Sequence, residues 1–349
     1  MLPEEVLKRA QAEMLNYGDT GISVMEMSHR SGDFLEILNG AKDKLRMLMG
    51  IPENYKILFL QGGGCTQFAM VPMNLVRNGR ADYIITGNWS KKAAEEAERY
   101  AKVNVPASSA DRNFSYVPDM TELNIAEDSD YVYICQNETI HGTTIRKLPD
   151  TKGKPLVADI SSMFLSEPIE VEKYGLILGG VQKNVGPAGV TIVIIREDLI
   201  REDVLPFTPT MLRYKTHVDT NSLYNTPPCF NIYVCGLVFD WLLKLGGTAA
   251  MKEINEKKAK ILYDYLDNSK IFRSTVEKKD RSLMNVPFVT GDKQLDAEFI
   301  EAASEAGLKN LKGHRLVGGM RASIYNAMPI EGVESLVNFM MDFERGHLK

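Results

Sequence analysis

Short, continuous apolar runs separated by helical patterns constrain the fold of this chain most strongly. The runs are KILFLQ (56–61), DYIIT (82–86), DYVYICQ (130–136), KPLVADI (154–160), YGLILGG (174–180) and VTIVIIR (190–196). Segments 65–76 and 90–102, which lie between the first three runs, show helical spacing. Strands that are apolar without alternation are buried on both faces, which is typical of a mostly parallel α/β sheet.

The last two of these runs are expected to pair differently from the others. Only a glycine- and proline-containing loop separates 174–180 from 190–196, and it is too short for a helical crossover. We therefore predict that this pair is antiparallel. In a sheet of this class ligands bind beyond the carboxyl ends of the strands. Polar residues at those ends are therefore the first candidates for a binding site.

The pattern changes near residue 240. Helical segments at 232–245 and 249–266 lead to two strand candidates, 285–290 and 319–326, with further helices at 296–306 and 332–345. We predict a large α/β domain over 1–240 and a smaller C-terminal α+β domain over 241–349. The amphipathic helix at the N-terminus is assigned to the large domain, with its first residues free to pack on the smaller one.

Bulk composition excludes several classes of protein. The 349 residues carry a net charge of −5, so nothing draws the chain to nucleic acid or to acidic membranes in general. No apolar run approaches the ~20 residues of a membrane span. The four cysteines form no CxxC pair and no cluster with histidine, which indicates reduced thiols, no metal site and a cytoplasmic protein.

Lys183 stands at the end of an apolar strand, within YGLILGGVQKNVGPAG. Most single lysines are solvated surface residues. Here glycines flank the position and the approach is apolar. A desolvated lysine loses its proton more readily and can then form an imine with an aldehyde.

Two further features point to the same edge of the sheet. Asp159 ends the run KPLVADI; it could cap the following turn, or it could hold the ring nitrogen of a pyridine cofactor protonated. The glycine turn of GGGCTQF (62–68) opens a helix after the first strand. Such a turn offers backbone N–H groups to a phosphate, although many glycine turns are only structural.

Other candidates have both structural and functional interpretations. Trp89 could be a core residue or could stack on a flat ring; Thr139 could cap a turn or donate to a ring hydroxyl. Most arginines form surface ion pairs. Two His-Arg dipeptides and one further arginine suggest instead a substrate with two anionic groups, because guanidinium forks bind such groups in pairs of hydrogen bonds. These residues are His29, Arg30, His314, Arg315 and Arg321.

Several long motifs together identify a family. MEMSHRSGDF, LQGGGCTQFAMVPMNL, TGNWSKKA, NETIHGT, VADISSMFLS, YGLILGGVQKNVGPAGVTIVIIRED, YNTPPCFNIY and GHRLVGGMRASIYNAMP closely resemble the phosphoserine aminotransferases, class-V enzymes of the fold-type I group that use pyridoxal 5'-phosphate. The resemblance covers essentially the whole chain. Members commonly carry a further segment before the first helix, with an aromatic-Ser-Ala-Gly-Pro run, so the resemblance implies a late start or a shortened chain.

The resemblance implies a role for each candidate residue. Lys183 would form the Schiff base and Asp159 would pair with the pyridine nitrogen, while Trp89 stacks on the ring and Thr139 binds its hydroxyl. The cofactor phosphate would rest on Gly64, Cys65 and Gln182, with Asn225 and Thr226 supplied by the second subunit of a homodimer that shares its active sites. His29, Arg30, His314 and Arg315 would hold the substrate phosphate or distal carboxylate, and Arg321 the α-carboxylate.

The implied reaction is the reversible conversion of O-phospho-L-serine and 2-oxoglutarate into 3-phosphohydroxypyruvate and L-glutamate, a step of L-serine biosynthesis. The resemblance also allows the 4-phosphohydroxythreonine step of pyridoxine biosynthesis. The alternatives are another class-V enzyme, such as a serine–glyoxylate aminotransferase or a cysteine desulfurase, and a family member that has lost catalysis with its N-terminal segment. A desulfurase needs a mobile cysteine, and none follows Cys235.

Overall fold

A seven-stranded mixed sheet forms the centre of the molecule in the computed structural model, which describes residues 2–348. Its strands follow the order β1-β7-β6-β5-β4-β2-β3. Strand β7 runs antiparallel to both neighbours, and the other neighbouring pairs are parallel. The strands are β1 Tyr55–Leu60, β2 Arg80–Tyr83, β3 Lys102–Asn104, β4 Val132–Cys135, β5 Leu156–Asp159, β6 Leu176–Gly180 and β7 Thr191–Arg196.

A second, three-stranded sheet lies in the C-terminal part of the chain. It is antiparallel, in the order β10-β9-β8, with β8 Arg273–Ser274, β9 Asn285–Val289 and β10 Met320–Ser323. The α-helices are α1 Glu4–Ala12, α2 Gly32–Met49, α3 Gly63–Leu75, α4 Asn88–Ala97, α5 Tyr214–Asp219, α6 Cys229–Lys244, α7 Gly247–Asn268, α8 Lys293–Glu305 and α9 Ile330–His347.

The predicted α/β fold with a mostly parallel sheet is confirmed, and so is the antiparallel pairing of β6 with β7. The predicted end of the fourth helix at residue 102 is wrong. Helix α4 ends at Ala97, and Lys102 begins β3, where it pairs with Arg80 of β2. Pairing with a neighbouring strand overrides local helical spacing, which is why this short edge strand escaped prediction.

Both faces of the large sheet are covered, as its uninterrupted apolar strands require. On one face Ile192 and Ile194 of β7 pack in a cluster that includes residues of α2 and α6. On the other face Val193 and Ile195 pack in a cluster with residues of α3 and α4. The alternation along β7 therefore joins two apolar cores, and this rigid centre carries the strand ends that lead to the site.

The first residues pack on the larger core. Val6 and Ala10 of α1 are buried in the cluster that covers α2 and α6. Glu13, just after α1, accepts a 2.5 Å hydrogen bond from the Tyr233 hydroxyl of α6. The N-terminal helix thus lies against α6 rather than on the small sheet, and the division of the chain at residue 240 stays a prediction.

The helices of residues 2–348 differ in how closely they resemble a membrane span. None of them alone has the length and apolar character to cross a bilayer. Helices α6 and α7 satisfy the length and composition criteria only as a pair, and that pair is bent by 81° at its break.

Truncating a side chain at the centre of β7 should destabilise the fold strongly. Ile194 is wholly buried, so Ile194→Ala is expected to lower the free energy of unfolding by about 2–5 kcal/mol through lost burial and a residual cavity. Urea denaturation at fixed protein concentration measures this. The matched control is Met47→Ala on α2, whose side chain is 69% exposed; equal losses in both variants would contradict the assignment of the core.

Candidate active site

Three parallel strands bring the candidate chemistry to one edge of the large sheet. Asp159 is the last residue of β5, Lys183 follows shortly after β6, and Thr139 follows shortly after β4. Strands β4, β5 and β6 are adjacent and parallel, so their carboxyl ends lie side by side. The two strand-end residues that the sequence singled out are therefore neighbours in space.

The Lys183 amine is held by a hydroxyl instead of a carboxylate. Its Nζ donates a 2.7 Å hydrogen bond to Thr139 Oγ1 and lies 5.7 Å from the centroid of the Trp89 ring. Within residues 2–348, Lys183 forms no ion pair. An amine without a salt-bridge partner remains available for covalent chemistry.

Asp159 faces the beginning of α3. The side chain is buried, and its Oδ1 accepts a 2.8 Å hydrogen bond from the Ser161 N–H. A Cβ built on Gly64 would lie 3.6 Å from Asp159 Oδ2. Because position 64 has no side chain, space is left between the carboxylate and the N-terminus of α3, where unpaired backbone N–H groups favour an anion. Cys65, the next residue, is exposed with a free thiol.

A buried carboxylate that sequence reasoning missed fixes Trp89. Glu138 Oε2 accepts a 3.1 Å hydrogen bond from the Trp89 N–H, and Oε1 accepts from the Ser90 N–H at 2.8 Å and from Ser90 Oγ at 2.6 Å. These bonds give hydrogen-bond acceptors to backbone N–H groups in the first turn of α4, which have no partner within the helix. Burial raises the pKa of Glu138. The signal in the sequence was an acid inside QNETIHG, directly after an apolar strand.

Gly87 makes this arrangement possible. A Cβ at that position would lie 2.3 Å from Glu138 Cδ, so any larger residue would push the carboxylate away from the helix end. The glycine before α4 therefore lets the carboxylate approach the helix end closely, and the pair of residues sets where the Trp89 ring stands relative to Lys183.

Several basic residues gather near Lys183, and within residues 2–348 Arg315 and Arg321 form no ion pair with an acidic residue. Arg321 on β10 donates from an Nη atom to the Thr139 carbonyl at 3.1 Å, while its buried Nε has no partner among the described residues. Burial lowers the pKa of His314, and so do the nearby charges of Arg321, Arg315 and Lys92. Like charges held together in this way favour an anionic ligand.

His141 is a second residue that sequence reasoning did not single out. Its Nδ1 accepts a 3.4 Å hydrogen bond from the Asn88 N–H of α4, which places the proton on Nε2. Burial, and then the charge of His314, lowers the pKa of His141 to about 4. The ring borders a cavity of about 610 Å³ that is also lined by Asn88, Lys91, Arg112, Asn113, Phe114, Ser115, Thr275, Leu316 and Val317.

The remaining predicted site residues make no hydrogen bond to Lys183 among residues 2–348. His29 is half-buried, with Nε2 lacking a partner among residues 2–348, and Arg30 is exposed just before α2. Asn225 and Thr226 are exposed, and the Thr226 carbonyl accepts a 3.0 Å hydrogen bond from Gln61 beside the glycine turn. Gln182 is exposed next to Lys183. No recorded hydrogen bond of the described residues joins His29, Arg30, Asn225 or Thr226 to Lys183.

A family of known proteins and several solved structures resemble this chain. The model of the Aminotransferase class-V family matches residues 1–336. The chain belongs to the class-V aminotransferase family. This class-V aminotransferase is 52% identical to the phosphoserine aminotransferase of Nitrosomonas europaea, over 99% of the chain and 96% of that relative.

Two solved structures agree with the family assignment. The phosphoserine aminotransferase from Bacillus circulans subsp. alkalophilus superimposes with a TM-score of 0.97 at 46% identity, covering 99% of this chain and 96% of that one. The pyridoxal-phosphate-bound phosphoserine aminotransferase from Trichomonas vaginalis gives a TM-score of 0.90 at 40% identity, covering 98% and 97%. Both likenesses extend over nearly the full length of this class-V aminotransferase.

The lowered pKa of His141 predicts that the folded protein loses stability as the pH falls. As the pH falls from 6.5 towards 4, the unfolded chain takes up a proton at this ring while the folded chain does not. The free energy of unfolding should therefore fall by up to about 3 kcal/mol over this range from His141 alone. His141→Asn keeps an acceptor for Asn88 but removes the titrating ring, so its stability should fall less steeply.

Urea denaturation of both proteins at several pH values between 7 and 4 measures this difference. The parent curve is expected to approach or cross the variant curve as the pH falls. Curves that stay parallel over the whole range would show that His141 is not kept neutral by the fold.

Proposed function

We propose that this class-V aminotransferase transfers an amino group between O-phospho-L-serine and 2-oxoglutarate, giving 3-phosphohydroxypyruvate and L-glutamate. The observation that carries the proposal is the Lys183 amine, which is bonded to Thr139 at a sheet edge shared with Asp159. Among residues 2–348 neither Lys183 nor the nearby Arg321 forms an ion pair. Relatives called phosphoserine aminotransferases share 52% of its residues over 99% of the chain. A serine–glyoxylate specificity is not favoured by these relatives.

The residues present fit pyridoxal 5'-phosphate. Trp89 Nε1 and Arg321 Nε are buried without partners among the described residues, and the missing side chain at Gly64 leaves room beside Asp159 Oδ2. A carboxylate, an indole face, a hydroxyl and a helix N-terminus are the donor and acceptor types that a phosphorylated pyridine requires. The set is therefore complementary to this cofactor.

Each group has a distinct task in holding the cofactor. Asp159 would accept a hydrogen bond from the pyridine nitrogen, Trp89 would cover the ring face, and Thr139 would bind the ring hydroxyl. Backbone N–H groups of Gly64 and Cys65, with the side chain of Gln182, would bind the phosphate at the start of α3. The bound cofactor supplies an electron-withdrawing ring that stabilises negative charge at the Cα of the substrate.

Lys183 moves the proton in this mechanism. Its Nζ would take the proton from the substrate Cα as a general base and release it again as a general acid. Its hydrogen bond to Thr139 Oγ1 keeps Nζ close to the ring face of Trp89. Within residues 2–348 Lys183 forms no ion pair, so no carboxylate holds the amine away from the substrate.

Substrate binding is assigned to the cations. Arg321 holds the α-carboxylate through its guanidinium fork, whose Nε is free to donate. His314 and Arg315, together with His29 and Arg30, hold the phosphate of phosphoserine or the side-chain carboxylate of glutamate. One set of cations can serve both substrates in turn, because each places a second anion at a distance from its α-carboxylate.

We also propose that the working form is a homodimer in which Asn225 and Thr226 reach the cofactor phosphate of the partner subunit. Both residues are exposed, and Tyr224 beside them is 48% exposed. Leu15, Met25 and Phe207 likewise expose large apolar surfaces, at 85%, 60% and 61%.

The proposed setting is L-serine biosynthesis in the cytoplasm. All four cysteines are free, with Cys135 and Cys235 buried, which suits a reducing compartment. The names of the relatives support the pathway.

A single-turnover panel tests the function. The cofactor-loaded protein is mixed separately with O-phospho-L-serine, L-glutamate, L-serine and L-alanine, and the change in cofactor absorbance is followed. Rapid change with the first two amino acids and slow change with the last two supports the proposal. Equal rates with phosphoserine, serine and alanine would overturn the assignment of phosphate recognition.

Arg321→Lys should weaken turnover while leaving cofactor binding intact. A point charge cannot reproduce the paired hydrogen bonds of the guanidinium, so kcat/KM for phosphoserine should fall by roughly 10- to 100-fold. Steady-state kinetics measures the loss, and equilibrium titration measures cofactor affinity. The matched control is Arg273→Lys on β8, where an Nη atom only donates to the Thr290 carbonyl. Unchanged kcat/KM in Arg321→Lys would remove this residue from the substrate site.

A further inference from the structure

Lys258 is a fully buried lysine that the proposed chemistry does not use. It lies on α7, its side chain is 0% exposed, and burial lowers its pKa to about 8. Its Nζ donates to three successive carbonyls, those of Ile324, Tyr325 and Asn326, at 3.2, 2.8 and 3.4 Å. These carbonyls belong to the segment that leaves β10, the strand that carries Arg321.

A buried ammonium without a carboxylate is costly, so its retention needs a reason. An apolar side chain of similar length would avoid the loss of hydration. It would also leave three carbonyls without this donor in the interior, because a methionine cannot donate hydrogen bonds. Lys258 therefore fixes one particular backbone shape for the turn at 324–326.

That turn donates a hydrogen bond to Asn184, the residue next to Lys183. The Asn326 N–H donates to Asn184 Oδ1 at 3.0 Å, and Asn326 Nδ2 donates to the Leu165 carbonyl at 3.0 Å. Asn326 and Asn184 are both buried. The turn held by Lys258 is thus bonded on one side to the segment that follows Asp159 and on the other to the residue next to Lys183.

Asn255 reinforces the same connection from one turn earlier on α7. Its Nδ2 donates to Asn326 Oδ1 and to the Ser166 carbonyl, both at 2.9 Å, and the side chain is 0% exposed. Residues three apart on a helix share a face, so Asn255 and Lys258 act on the turn together. One face of α7 thereby bonds both the segment that follows β5 and the turn that follows β10, and this turn is bonded to Asn184 beside Lys183.

We propose that Lys258, supported by Asn255, is a positioning residue that sets the placement of Lys183 relative to Arg321 through the turn at 324–326 and Asn184. The inference rests on the proposed function, since Lys183 moves the proton and Arg321 holds the α-carboxylate there. Displacing one of these groups by an ångström changes the geometry of proton transfer and can cost about 100-fold in rate.

The test is a double-mutant cycle between Lys258→Met and Asn184→Ala. Each single variant should lower kcat for phosphoserine by roughly 10- to 100-fold. The double variant should be no slower than the slower single one, because both changes break the same connection. Lys258→Gln, whose amide can still donate to two carbonyls, should lie between the parent and Lys258→Met. The matched control is Lys257→Met, the same change at the exposed neighbouring position, which should behave as the parent.

Two readouts separate positioning from a merely structural role. Thermal unfolding of the protein without cofactor reports stability, and kinetics well below that transition report kcat and KM separately. A lowered unfolding temperature with parental kcat and KM in both Lys258→Met and Lys258→Gln would overturn the inference. Losses in kcat that multiply in the double variant would overturn it as well.

Failure of the inference is distinguishable from failure of the proposed function. A parent protein that does not exchange its amino group with phosphoserine contradicts the function itself. A fully active parent combined with independent effects of Lys258→Met and Asn184→Ala contradicts only the positioning role. If Lys258→Met does not fold, the cycle is run with Lys258→Gln, for which the same pattern of non-additive losses is expected.

Discussion

The buried carboxylate of Glu138 is the interaction on which the rest of the site depends. It accepts hydrogen bonds from the first turn of α4 and so fixes the helix that carries Trp89. The same short segment reaches in other directions: Asn137 donates to Asn285 of β9 at 3.0 Å, and Thr139 receives hydrogen bonds from Lys183 and Arg321. A single loop after β4 thus joins the large sheet, α4 and the small sheet.

The free-energy cost of burying the Glu138 carboxylate explains why several hydrogen-bond donors of α4 surround it. An ionised carboxylate is retained in the interior only when several donors compensate for lost water. Here these donors are backbone and hydroxyl groups of one helix end, and the partial positive charge of that end adds to them. The carboxylate of Glu138 is therefore bonded to α4 and not to the basic residues, and among residues 2–348 Arg315 and Arg321 form no ion pair and can bind a ligand with two anionic groups.

The sequence predicted those parts of the site that follow strand ends. Asp159 and Lys183 could be placed at one sheet edge because buried parallel strands align their carboxyl ends, and the structure has them on adjacent strands. Glu138, His141 and Lys258 were missed because their partners lie far away in the sequence: 48 residues separate Glu138 from Ser90, and 67 separate Lys258 from Tyr325. His29, Arg30, Asn225 and Thr226 were named from the family motifs, and no hydrogen bond among residues 2–348 joins any of them to Lys183.

The central claim is that the Lys183 amine carries the cofactor. Borohydride reduction of the pyridoxal-phosphate-loaded protein, followed by proteolysis and mass spectrometry, tests it most directly. We expect the reduced pyridoxyl group on Lys183 and on no other lysine. A label on Lys91 or Lys92, or no labelled peptide after incubation with excess cofactor, would contradict it.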